Sequence, residues 1–147
     1  MTTTTRSDEA YSTFMDGFSC SQAVLSSFPE ESGIDRRTAW KISGGFGSGI
    51  SKTGNICGAV SGAIMVIGLK YGKATPKGNA ARDKTHALVQ QFIHEFTQKN
   101  GSVNCTELLG FDLGNPEEYA QARDRELFVT KCPALVRDAV EILERIV

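Results

Sequence analysis

Between Gly44 and Gly72 the chain carries nine of its fifteen glycines, and no charged side chain stands between Lys52 and Lys70. Such a segment offers water little to solvate and neighbours little bulk to avoid, so it belongs inside the fold with other backbones packed close. Its centre is Cys57-Gly58-Ala59-Val60-Ser61-Gly62, which runs into Ile64-Met65-Val66-Ile67. The pattern predicts a central helix over roughly 56–70, capped by Asn55, with Cys57 in its first turn. Unpaired backbone N–H groups there favour negative charge, so the Cys57 thiol is expected to ionise more readily than a free cysteine. Gly58 and Gly62 lie one turn apart, flanked by Ala59 and Ala63, and strip bulk from one face. Each glycine costs about 1 kcal/mol of helix propensity against alanine, so close packing or access to the cysteine should compensate.

The flanking chain reads as helices throughout. Residues 1–6 are expected to be frayed, followed by a helix through Ala10, Phe14 and Met15 that stops at Gly17. Ser19 with Gln22 forms a capping-box signature that starts a helix at Cys20 and turns Ala23, Val24 and Phe28 inward; Pro29 closes it. Asp35 caps a third helix through Ala39, Trp40 and Ile42, which ends at Gly44-Gly45. Beyond the central helix, the spacing of Ala81, Thr85, Leu88, Val89, Phe92, Ile93 and Phe96 predicts an amphipathic helix stopped at Asn100-Gly101. Asn104 with Glu107 starts a short helix at Cys105, and Asn115-Pro116 starts the next. Thr130 or Lys131 opens the last, with Cys132 and Pro133 at its entrance and Leu135, Val136, Ala139, Ile142, Leu143 and Ile146 on its core face. The expected fold is all-α, a single-domain bundle of about seven to eight helices over 1–147.

At 147 residues and 40% hydrophobic, the chain can build a real core. A net charge of -1 offers no field for nucleic acid. The uncharged run is too short and too glycine-broken to span a membrane, so no membrane insertion is expected. The opening Met-Thr-Thr-Thr-Thr-Arg has no apolar core of a secretory signal, which points to the cytoplasm, where purely structural disulfides are disfavoured.

All four cysteines, Cys20, Cys57, Cys105 and Cys132, fall at predicted helix starts, on the second, fourth, sixth and eighth helices in order. In an up-down bundle alternate helices run parallel, so these starts can meet at one end and favour an anionic group there, thiolates or a thiolate-bound cluster. Taken singly, each cysteine reads equally as a small buried hydrophobe. No Cys-x-x-Cys pair marks a zinc knuckle or thioredoxin-type site, and there is no haem attachment motif. The dispersed set is compatible with a metal centre, an iron–sulfur cluster or zinc, or with two redox-active pairs. If all four gather, Cys57 is expected at the centre.

Four segments, Phe18-Ser19-Cys20-Ser21-Gln22-Ala23-Val24-Leu25, Cys57-Gly58-Ala59-Val60-Ser61-Gly62, Gly101-Ser102-Val103-Asn104-Cys105-Thr106-Glu107-Leu108-Leu109 and Cys132-Pro133-Ala134-Leu135-Val136, occur in that order. In this the chain resembles the C_GCAxxG_C_C family, an all-helical family described as redox-active on account of its four cysteines. Related sequence occurs in split-Soret cytochromes, which carry haem and an iron–sulfur centre. The resemblance implies that Cys20, Cys57, Cys105 and Cys132 carry the chemistry. The readings that follow are a thiol–disulfide or electron-transfer oxidoreductase serving a redox partner, and a non-enzymatic metal-binding accessory module in which the same four thiolates hold iron–sulfur or zinc.

Other signals are weaker. Gly49-Ile50-Ser51-Lys52-Thr53 resembles a phosphate-binding loop, but Ser51 and Phe46 stand where that template needs glycine and no strand precedes it; a flexible loop wrapping toward Cys57 is the simpler reading. His86 and His94 share a helix face as an accessory ligand pair or, more simply, as solvated side chains. The charges from Glu117 to Glu126 read as a solvated face. Trp40 and Phe46 are candidates to shield the cysteine end.

Overall fold

A computed structural model describes residues 3–147; Met1 and Thr2 lie outside the described residues. The described chain is helical with no strand, and seven helices have seven or more residues. The first is α1 (Arg6–Met15), followed by α2 (Cys20–Ser26), α3 (Pro29–Ser32) and α4 (Arg36–Ser43). A 3-10 turn at Gly44–Phe46 leads into the single turn α5 (Gly47–Ile50), and the central helix is α6 (Gly58–Tyr71). Then come α7 (Asn79–Asn100), α8 (Cys105–Leu109), α9 (Pro116–Asp124), α10 (Leu127–Thr130) and α11 (Cys132–Ile146). Among these described elements no helix is long and apolar enough to cross a membrane.

The expected frayed tail stops earlier than residue 6: Thr5 caps α1 through a reciprocal bond with Asp8, and Arg6 binds Glu31 at 2.9 Å. Pro29 does more than end α2. It opens α3, where a missing N–H costs nothing, and Gly33 in the left-handed region stops that turn. The capping box of Ser19 and Gln22 forms as expected, and Gln22 also donates to the Trp40 carbonyl at 2.8 Å, tying α2 to α4. Ser19→Ala should therefore lower stability by about 1 kcal/mol, measured as a fall in the urea midpoint at unchanged slope.

The central helix α6 is apolar all round, which suits a helix enclosed by others. It packs against α2, α3, α7 and α11, with Val60, Ala63, Val66 and Ile67 fully buried. Phe92 and Phe96 of α7 and Val136, Ala139, Val140 and Leu143 of α11 complete the core. Gly62 lets α2 come close: a side chain there would meet the Ser21 carbonyl oxygen at 2.8 Å and Val24 Cβ at 3.1 Å. A second, smaller cluster of Cys105, Leu109, Leu113 and Ala122, with Phe111, Tyr119, Leu127, Phe128 and Cys132 against it, joins α8, α9 and the α10–α11 corner.

The start of the central helix differs from the expectation. Asn55 does not cap it, and Ile56 lies outside it in a single antiparallel bridge with Asn104. The Cys57 N–H is taken by the Val103 carbonyl at 2.8 Å, and the Cys105 N–H by the Asn55 carbonyl at 2.7 Å. These cross-chain bonds hold residues 55–57 extended, so α6 begins at Gly58 with Cys57 as its cap residue. They also bring two of the cysteine segments side by side.

Candidate redox site

Each cysteine is positioned by a different local device. Cys20 is the first residue of α2 behind the Ser19 cap, and Cys105 the first residue of α8 behind Asn104, whose side chain accepts from the Glu107 N–H at 3.1 Å. Cys132 opens α11 just before Pro133. Cys57 is held by the bridge to Val103. Short extra helices upset the even-numbered count of the sequence reading, yet all four thiols line one cavity of about 380 Å³. All are free.

Two glycines of the central stretch make room for them. A side chain at Gly58 would collide with Cys20 Sγ, and would stand 3.0 Å from the Phe46 carbonyl oxygen and 3.1 Å from the Ser21 nitrogen. One at Gly49 would stand 2.8 Å from Cys105 Cβ and 2.7 Å from the Asn55 nitrogen. The glycines thus exchange side-chain volume for sulfur, which is the physical content of the glycine-rich pattern.

The loop before Cys57 is neither a phosphate-binding loop nor a loose wrap. Ser48, Gly49, Ile50, Ser51 and Lys52 all have positive φ, between 50° and 67°, and so form one left-handed turn. For an L-residue that conformation costs about 1–2 kcal/mol, and it is least suited to a β-branched residue such as Ile50. Bonds from the Ser51 N–H to the Gly47 carbonyl (2.8 Å), the Asn55 N–H to the Gly49 carbonyl (2.8 Å) and the Thr53 hydroxyl to the same carbonyl (2.8 Å) hold it. Its effect is to put the Ser48 backbone in the cavity wall with Cys20, where its N–H favours the thiolate.

The electrostatics reverse the expected order of acidity. Cys20, not Cys57, is the acidic thiol: the adjacent Cys57 thiol hydrogen-bonds its sulfur, and the Ser48 and Ser21 backbone N–H groups add to this against the cost of burial, holding it at about 7. Cys57 is raised well above the ordinary thiol range, because it gives its hydrogen bond to Cys20, is buried, and lies next to the Cys20 charge. Burial, reinforced by the Cys20 charge, pushes Cys105 up to about 12. Burial and the charges of Cys20 and Cys105 do the same to Cys132. A single negative charge is thus favoured at Cys20 and disfavoured at the other three sulfurs, where Cys57 was expected to ionise most readily.

Among the described residues no group of three or more His, Cys, Asp or Glu side chains converges to hold an ion. Cys20 and Cys57 pack with the main core and Cys105 and Cys132 with the smaller cluster. A four-thiolate iron–sulfur or zinc site does not fit this arrangement. His86 and His94 are exposed on α7, and the charges of α9 are mostly solvated.

The remaining wall is apolar: Phe14, Phe18, Tyr119, Phe128 and four leucines contribute to it. Phe18 stacks on Trp40 with ring centroids 4.1 Å apart, so Trp40 backs the cavity at one remove, while the exposed Phe46 lines a separate surface groove. The model of the family described as "Putative redox-active protein (C_GCAxxG_C_C)" matches residues 18–146. The chain belongs to this C_GCAxxG_C_C family. The matched span contains every cysteine and every element that lines the cavity except α1 and Gly17. No curated protein and no solved structure matches the chain. The sequence patterning does not single out the Ser48 amide, which acts through backbone alone, or Tyr119 and Phe128 of the aromatic wall.

Proposed function

We propose that this C_GCAxxG_C_C protein is a dithiol redox protein in which Cys20 is the attacking thiolate and Cys57 the resolving thiol. The observation that carries this reading is the seating of the Cys20 sulfur against Gly58, the residue next to Cys57, with both thiols in one cavity wall. A pair so arranged holds one proton between two sulfurs, giving a nucleophile and its successor in contact. With a disulfide-bearing partner, the Cys20 thiolate attacks one partner sulfur; a Cys20–partner S–S bond forms, the partner S–S bond breaks, and the other partner thiolate leaves and takes a proton. Cys20 is then neutral, which removes the main cause that keeps Cys57 protonated. Cys57 loses its proton and attacks Cys20, closing the Cys20–Cys57 disulfide and expelling the second partner thiolate. Two cysteines are oxidised and one partner disulfide is reduced. The order of acidities sets the order of events.

Trapping tests it. Cys57→Ser, treated with the uncharged disulfide dithiodipyridine, should release one pyridinethione per chain and keep the other half as a mixed disulfide on Cys20. The native chain should release two from this pair and keep none. A Cys57→Ser chain that accumulates no adduct on Cys20 would remove the assignment.

A further inference from the structure

The dithiol pair is reached through a cavity whose chemistry restricts what can enter. Among the described residues none of the side chains lining it carries a formal charge apart from the Cys20 thiolate. Its wall is aromatic and aliphatic, with Phe14, Phe18, Tyr119 and Phe128 on it, the last two rings tilted against each other at 5.2 Å. At about 380 Å³ it lies in the range of small-molecule sites. Cys57 is only 5% exposed, and Cys20 is partly buried in the same wall. A peptide disulfide such as glutathione would bring its carboxylates beside the Cys20 thiolate and its ammonium groups against an apolar wall with no carboxylate to pair them.

We infer that the electron acceptor of this protein is a small, uncharged quinone that binds in the aromatic cavity beside Cys20 and Cys57. The inference rests on the dithiol reading above. A planar ring matches the aromatic wall by stacking. It also matches the electron count of a dithiol. The Cys20 thiolate adds to a ring carbon: an S–C bond forms, and the displaced electron pair moves to a quinone oxygen, which takes a proton from solvent. Cys57 then gives up its proton and attacks the Cys20 sulfur. The S–S bond forms, the S–C bond breaks, and the electron pair returns to the ring, whose second oxygen takes the Cys57 proton. One quinone becomes one hydroquinone and the pair becomes one disulfide.

Trp40, the one tryptophan of the chain, stacks on the cavity-lining Phe18 and so reports occupancy without redox chemistry. The probe is duroquinone, whose fully methylated ring resists permanent arylation. In the Cys20→Ser chain duroquinone should quench Trp40 fluorescence along a saturating curve. In the native chain it should oxidise the Cys20–Cys57 pair at a rate that saturates over the same concentrations. Glutathione disulfide at equal concentration should be slower by about tenfold or more, the factor that 1.4 kcal/mol of binding preference supplies. Quenching and oxidation that both rise linearly with duroquinone, with glutathione disulfide equally fast, would overturn the quinone site and leave the dithiol pair standing. Failure of every oxidant to join Cys20 to Cys57 would instead overturn the reading beneath it.

Discussion

Cys20→Ser is expected to slow alkylation of the folded protein at pH 7 by about tenfold, although three of the four thiols remain and Cys57 is released from the Cys20 charge that raises it. At pH 7 a thiol with its pKa near 7 is about half thiolate, whereas one near 12 is ionised in only about one molecule in 10⁵. The more basic thiolates are better nucleophiles once formed, and Cys57, freed of the Cys20 charge, ionises more readily than in the native chain; together these recover much of that deficit and leave the factor stated. The native rate should fall about tenfold per pH unit below 7, as the Cys20 thiolate takes up its proton, and level off about one unit above. Iodoacetamide labelling followed by peptide mass mapping separates the sites. Native-like labelling in Cys20→Ser would mean that Cys57, Cys105 or Cys132 supplies the thiolate.

Gly58→Ala is expected to damage both stability and chemistry, because the added methyl occupies the position of Cys20 Sγ and presses on two backbone atoms, the Phe46 oxygen at 3.0 Å and the Ser21 nitrogen at 3.1 Å. Overpacking of this kind costs about 1–3 kcal/mol, which helix propensity at the first residue of α6 does little to offset. The soft element is the Cys20 side chain, so it moves, and it loses the Cys57 and Ser48 bonds that hold its pKa down. With the thiol returned to near 9, its thiolate fraction at pH 7 drops from about one half to about one in a hundred, and its labelling slows about five- to tenfold after allowance for the stronger nucleophile. Gly62→Ala, which meets α2 away from any sulfur, should show the stability loss with the Cys20 pKa preserved. Equal labelling in both variants would refute the role assigned to Gly58.

The features legible in the sequence are those set by local hydrogen bonding and side-chain volume. Ser19 with Gln22, Asp35, Asn104 and Asn115 mark helix starts because a short polar side chain there satisfies an otherwise unpaired N–H, whatever surrounds it. Gly58 and Gly62 announce close packing because nothing else explains two glycines one turn apart in an apolar helix. The central helix starts two residues beyond the predicted position, and Cys57 differs in acidity, for a non-local reason: its segment pairs with Asn104, almost fifty positions on, and its proton is tied to a neighbour, Cys20, on another helix. The left-handed turn leaves no signal in the sequence for the same reason. Ser48, Ile50, Ser51 and Lys52 have no preference for that conformation, which the tertiary bonds around Gly49 and Asn55 impose. Convergence of the four cysteines could be inferred from their shared place at helix starts; which of them carries the charge depends on contacts between helices.

The pairing of sulfurs on oxidation tests the account most directly. The full chain, purified anaerobically and reduced, is exposed to limiting dithiodipyridine, quenched by alkylation and digested for disulfide mapping. The account predicts that Cys20–Cys57 is the first disulfide formed, with Cys105 and Cys132 still alkylated as thiols, and that the starting material contains less than stoichiometric iron, sulfide and zinc. A first disulfide joining Cys20 to Cys105 or Cys132, or protein that arrives with an iron–sulfur cluster or one zinc per chain on its thiolates, would contradict it.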